Sequence, residues 1–239
     1  VYPAINPLGI DSITRGIPMF DLDMNRVFPG YSDGAMAEYV AASIVKDISG
    51  SDICIDLHSS NEFIKEFPQV RIAENNKSLI PYAKLLNTDF IWIYESATVL
   101  KATLAYSLNQ IGVPTLALEM GIGNRINREY CDQILSGIFN LMNEMGIWNC
   151  ETRIPKEPML STEGEVEVIH SKHSGIFIHG EAKMGLVRKG DHIGDIVNPA
   201  MGEILESVYA PFDGTMFSLR EHPVVYQGAV IARIMGDKK

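Results

Sequence analysis

Apolar residues recur at helical spacing from Ala35 to Ile48, where Met36, Tyr39, Val40, Ile44 and Ile48 form a stripe and Gly50 supplies a stop. The period then changes. Ile53 to Leu57 is a short, continuous apolar run that reads as a buried strand, ending in His58-Ser59-Ser60. Helices are predicted over Lys77 to Leu86 and Ala102 to Ile111, with strands over Phe90 to Tyr94 and Thr115 to Leu118. A long helix from about Arg128 to Met145 carries Ile134, Ile138, Leu141, Met142 and Met145 on one side. Helices alternating with short apolar strands predict an α/β domain: a mixed, mostly parallel sheet flanked by helices.

After Gly146 no helical periodicity returns. Pro155 and Pro158 bracket a polar linker, so a domain boundary is expected near residue 155, giving domains of 1–155 and 156–239. Beyond it, short runs such as Val166 to Ile169, Gly175 to His179, Gly194 to Val197 and Gly228 to Ile234 are separated by Gly-containing turns. That pattern predicts a small all-β barrel or sandwich.

The 239 residues are 46% hydrophobic and 21% charged, ordinary for a globular chain, so disorder is not expected. A net charge of −10 argues against a broad phosphate-tracking surface and so against nucleic-acid binding. No apolar run reaches the length of roughly eighteen residues that a membrane helix needs. Cys54, Cys131 and Cys150 lack CxxC spacing and read as buried free thiols of a reducing, cytoplasmic compartment.

Three places carry candidate chemistry. Asp56-Leu57-His58 lies at a strand exit, where ligand-binding groups of α/β sheets gather, and alternation puts Asp56 on the side of His58, suited to orient its ring. Glu119 ends the strand Thr115-Leu116-Ala117-Leu118 and is placed to face the same crevice; beside a metal-bound water it could act as general base. Arg15, with Asn25 and Arg26 in a turn-rich loop, suits the grip of a carboxylate, because guanidinium offers a planar two-donor fork. Each has a plainer reading: a hydrogen-bonded strand-end His, a capping or surface Glu, and a surface salt bridge from Arg15 to Asp21 or Asp23.

Taken in order, Asn6-Pro7-Leu8-Gly9-Ile10, Thr14-Arg15, Asp23-Met24-Asn25-Arg26-Val27-Phe28-Pro29-Gly30, Asp56-Leu57-His58 and Leu118-Glu119-Met120-Gly121 resemble the succinylglutamate desuccinylase/aspartoacylase family, relatives of the zinc carboxypeptidases. The resemblance spans essentially the whole chain, an appended β domain included. It implies a zinc cofactor with His58 as a protein ligand and Glu119 as general base acting on metal-activated water. It also implies that Arg15, Asn25 and Arg26 bind the substrate carboxylate and help polarise the scissile carbonyl. The expected reaction is cleavage of an amide bond in an N-acylated amino acid or related small amine.

The chain departs from the family in one respect. The family takes two further zinc ligands from an HxxE motif ahead of the Asn-Pro segment, and no such motif occurs in these residues. The expectation is therefore that the chain is the larger part of a longer enzyme, inactive as it stands. Two alternatives remain open: a zinc carboxypeptidase acting on peptides, and a binding protein that has lost its metal site. His170, His173, His179, His192 and His222 all fall after the boundary, and their spacing suggests strands and loops. Gly121-Ile122-Gly123 lacks the third glycine of a dinucleotide loop. The β segment resembles a biotinyl/lipoyl carrier, yet Asn198-Pro199-Ala200-Met201-Gly202-Glu203 holds no lysine for a swinging arm. Tyr226 is a candidate for closing over a small-molecule substrate, and a homo-oligomer is possible.

Overall fold

A computed structural model describes residues 1–18, 20–94, 101–163 and 165–236. The helices are α1 (Pro7–Ser12), α2 (Met36–Ile48), α3 (Ile80–Leu85), α4 (Leu104–Gln110) and α5 (Arg128–Glu144). The strands are β1 (Cys54–Ser59), β2 (Ile64–Ala73), β3 (Phe90–Tyr94), β4 (Thr115–Gly121), β5 (Met159–Leu160), β6 (Glu165–His170) and β7 (Gly175–His179). They continue with β8 (Gly185–Val187), β9 (His192–Val197), β10 (Ile204–Tyr209), β11 (Gly214–Arg220), β12 (Val224–Val225) and β13 (Val230–Gly236). No described helix is long and apolar enough to cross a membrane.

By compactness the chain falls into two units. One unit comprises residues 1–56, 73–75 and 94–117; the other comprises 57–72, 76–93 and 118–239. In the first, Ala37, Ala41 and Ile44 of α2 pack with Ile17, Met24, Phe28, Leu104 and Leu108. The expected stripe on α2 is thus offset, because Met36 and Tyr39 are exposed and the small alanines face the core. Small side chains let a helix approach its neighbours closely, which hydrophobicity alone does not reveal.

The larger sheet runs β1-β4-β2-β11-β13-β6, with β3 and β8 joined to β2 and β11 and with β5 joined to β3. This is the expected mixed sheet with helices, and β3 and β5 pair in parallel. The pairs β11–β2, β11–β13, β11–β8 and β13–β6 are antiparallel. The antiparallel pairs all involve strands of the C-terminal half, which reach the sheet from far along the chain: Ser218 of β11 stands opposite Glu66 of β2, and Val230 of β13 opposite His170 of β6. β2, ten residues long, was not foreseen.

A second, four-stranded sheet runs β10-β9-β7-β12 with antiparallel registers. Side chains from both sheets, among them Phe177, Ile193, Ile196, Met216, Leu219 and Ile234, share one core. No closed barrel forms among the described strands.

α5 docks in the second unit through Ile134, Gly137, Asn140 and Leu141. A Cβ on Gly137 would stand 2.0 Å from the Leu86 carbonyl oxygen, so only glycine allows this approach. Asn140 donates to Leu85 O at 3.3 Å, and Gln133 donates to Asn87 O at 2.7 Å and Asp89 Oδ2 at 2.9 Å. Gly137→Ala is expected to cost about 1–3 kcal/mol, as overpacking does; urea unfolding should show a lower midpoint at unchanged slope.

The three cysteines are free, as expected, but only Cys54 is partly buried. Its thiol is pushed up to about 11 by burial, with Asp56 adding to the shift. Cys131 and Cys150 are exposed rather than buried: Cys131 lies on the outward side of the first turn of α5 and Cys150 in the loop that follows the helix.

Candidate active site

In the first unit the family-like segments build one cationic corner. Asn6 caps α1 by accepting from Gly9 N at 3.1 Å, and its amide donates to Arg15 O at 3.3 Å and Gly16 O at 3.1 Å. This ties the Asn-Pro segment to the Arg15 backbone. Arg15 places Nε at 3.2 Å and Nη2 at 3.0 Å from a single oxygen, Asp23 Oδ2. Arg26 Nη1 lies 3.9 Å from the same oxygen. Asp23 Oδ1 accepts from Asn25 N at 2.9 Å, which shapes the turn. Asn25 Oδ1 accepts from Leu104 N at 2.8 Å, fixing the amide at the start of α4.

Arg15 and Arg26 therefore face one carboxylate, which Asn25 touches through its backbone N–H only, and the anticipated Arg15–Asp23 bridge is present. With the Arg15 side chain 71% exposed, that bridge is of the weak, water-screened kind.

In the second unit, β1 and β4 present His58 and Glu119. Cys54 N donates to Pro114 O at 2.8 Å, and Ser60 N donates to Met120 O at 3.1 Å. The same sequence offset at both ends marks a parallel pair in unbroken register. In a parallel ladder the residue that donates to the carbonyl of one position stands opposite the next. Ser60 is accordingly opposite Gly121, and His58 opposite Glu119. Residues opposite one another point to the same face of a sheet. β1 is half-buried rather than buried, with Leu57 50% exposed, because β1 ends the described strand order.

Behind Glu119 lies a charge network that the sequence reading missed. Arg71 Nη1 is 3.5 Å from Glu119 Oε1, and Arg71 Nη2 is 2.9 Å from Glu66 Oε2. Glu66 is buried; it also accepts from Ser60 Oγ at 2.8 Å and from Arg233 Nη1. The Arg71 and Arg233 guanidinium carbons lie 5.7 and 5.4 Å from the centre of the Trp92 ring. Burial lowers the Arg233 pKa from its ordinary value, while Glu66 opposes that shift. Alternation in β2, with Ile64, Glu66, Val70 and Ile72 buried, is the signal that could have found Glu66.

His58 could serve as a metal ligand, but a catalytic zinc takes three protein ligands. The described residues contain no group of three or more His, Cys, Asp or Glu able to hold a metal ion, so they do not by themselves complete such a site. The other histidines are engaged locally: His192 Nε2 lies 3.0 Å from Asp195, His170 Nδ1 lies 2.9 Å from Gly228 O, and His222 packs against the Phe63 ring.

The fold is α/β with a mixed sheet, and comparison with known proteins gives the family. Residues 1–145 match the family model of the succinylglutamate desuccinylase/aspartoacylase catalytic domain. The chain belongs to this family, and thereby to the amide-bond-cleaving deacylases, which are enzymes. It is 25% identical over 244 residues to the N-alpha-acetyl-L-2,4-diaminobutyric acid deacetylase of Halomonas elongata, covering 98% of this chain and 71% of the relative. The product-bound ectoine utilization protein of Ruegeria pomeroyi shares the fold with a TM-score of 0.82 at 18% identity, over 98% of this chain and 74% of that one. A succinylglutamate desuccinylase/aspartoacylase from Rhodobacter sphaeroides does so at 0.79 and 21%, over 99% and 74%.

Proposed function

We propose that the chain cleaves the amide bond of an N-acylated amino acid or related small amine, with Glu119 transferring the proton and His58 as one ligand of a zinc ion. The observation that carries the reading is the register of β1 and β4, which puts His58 opposite Glu119 on one sheet face. A carboxylate there can take a proton from the hydrolysing water and return it to the leaving amine. Zinc, where bound, supplies a Lewis acid that polarises carbonyl and water. Arg15, Asn25 and Arg26 are proposed to bind the substrate carboxylate; the exposed pairing of Arg15 with Asp23 supports this, because a ligand carboxylate can replace so weak a bond.

Relatedness to a deacetylase whose name specifies N-alpha-acetyl-L-2,4-diaminobutyric acid supports an acyl-amino-acid substrate. Residues 156–239 are proposed as a barrel-sandwich module, on the strength of the two sheets that share a core. The free thiols support a reducing, cytoplasmic setting.

The test, made on the full-length protein, is mass-spectrometric detection of free amine from N-acetyl and N-succinyl amino acids and from the same compounds amidated at the carboxylate, together with zinc analysis. Turnover of the acids well above their amides is expected, with zinc bound and lost in His58→Ala. Failure to release amine from any of them would sink the reaction; zinc that is absent, or equal in parent and variant, would remove His58 as ligand.

A further inference from the structure

We propose that Arg71 is a positioning residue for Glu119, held in place from behind by Glu66, Arg233 and Trp92. The guanidinium fork splits across two carboxylates, and the split is uneven. Nη2 sits 2.9 Å from Glu66, whereas Nη1 sits 3.5 Å from Glu119. The tight contact is the anchor. Glu66 is 1% exposed and accepts from Ser60, Arg71 and Arg233, so three donors fix its orientation. Arg233, also close to Ser218 Oγ at 3.3 Å, shares the Trp92 ring with Arg71, which restricts where either guanidinium plane can lie.

The looser contact is what positioning requires. A carboxylate that must accept and release a proton cannot be saturated by a close bidentate partner, yet it must not swing between rotamers. One guanidinium nitrogen at 3.5 Å biases the carboxylate toward one orientation without the grip of a close two-pronged pair. Arg71 has little other freedom, since its charge is shared between two carboxylates of fixed strands, Glu66 on β2 and Glu119 on β4. Arg233 comes from β13, so a residue of the C-terminal strands takes part in aiming a group on β4.

This inference rests on the reading of Glu119 as the proton-transfer group, and the experiment separates the two. Arg71→Met, Arg71→Lys, Glu119→Gln and the Arg71→Met/Glu119→Gln double variant would be assayed with N-alpha-acetyl-L-2,4-diaminobutyrate, N-acetylaspartate and N-succinylglutamate. Crystal structures of the parent and Arg71→Met would be compared. Arg71→Met is expected to lower kcat about 10- to 100-fold with KM little changed, the scale of an ångström-sized misplacement. Arg71→Lys should recover part of the loss and also serves if the methionine variant does not fold. On the Glu119→Gln background the Arg71 change should remove nothing further, because its effect runs through Glu119. The Arg71→Met crystal should show the Glu119 carboxylate displaced. Independent, multiplicative losses, or a Glu119 carboxylate in its parental place, would overturn the role of Arg71 alone; parental turnover in Glu119→Gln would overturn the underlying reading instead.

Discussion

Glu119→Gln is expected to fold as the parent does and to lose about two to four orders of magnitude in kcat on any acyl-amino-acid that the parent hydrolyses, the usual contribution of a positioned acid–base group. The amide keeps the size of the carboxylate but cannot take up a proton. Glu119 borders the network without lying at its centre: Glu66 keeps Ser60, Arg71 and Arg233 in the variant, so the strands lose no buried charge partner. Circular dichroism and urea unfolding should therefore match the parent while product formation collapses. Retained zinc with lost turnover would distinguish this variant from His58→Ala. Turnover within a few-fold of the parent would mean that another group moves the proton.

Glu66→Ala is expected to have the opposite profile, with stability failing first. Its carboxylate is buried and paired with two guanidinia, so its removal strands Arg233, whose side chain is only 17% exposed. Breaking a buried pair from one side costs about 3–5 kcal/mol, because the partner charge remains desolvated. Against the 5–15 kcal/mol of typical domain stability, that is a large fraction. Chemical denaturation should show a much lower midpoint. A loss below about 1 kcal/mol, the range of an exposed pair such as Arg15–Asp23, would show that water reaches the network and screens it.

The parts of the fold legible in the sequence were those that follow a single period. α5 and β3 lie within a residue or so of where the apolar pattern puts them, and His58 stands near the end of β1, whereas β4 runs on past the expected end at Leu118 and holds Glu119 within it. β2 was lost because Lys65, Glu66, Pro68 and Arg71 interrupt its apolar pattern; proline and buried charge are rare inside strands. The same strand carries Glu66 and Arg71, so missing it hid the network behind Glu119. α2 was found, but its inward face was misassigned: hydropathy ranks Met36 and Tyr39 above Ala37 and Ala41, whereas close packing chose the alanines. The antiparallel partner of β2, β11, lies about 150 residues away in the chain, and no local pattern reports a pairing over that distance.

The pairing of Glu66 with Arg233 spans 167 residues of sequence. During synthesis the acidic member emerges from the ribosome long before its basic partner, and β2 emerges long before β11, the neighbour that covers one of its edges. Until then the nascent chain carries an open strand edge and a carboxylate that favours water over burial, so this part of the sheet stays unfinished and prone to stray pairing. Chaperone occupancy on stalled nascent chains should accordingly persist until residue 233 has cleared the exit tunnel.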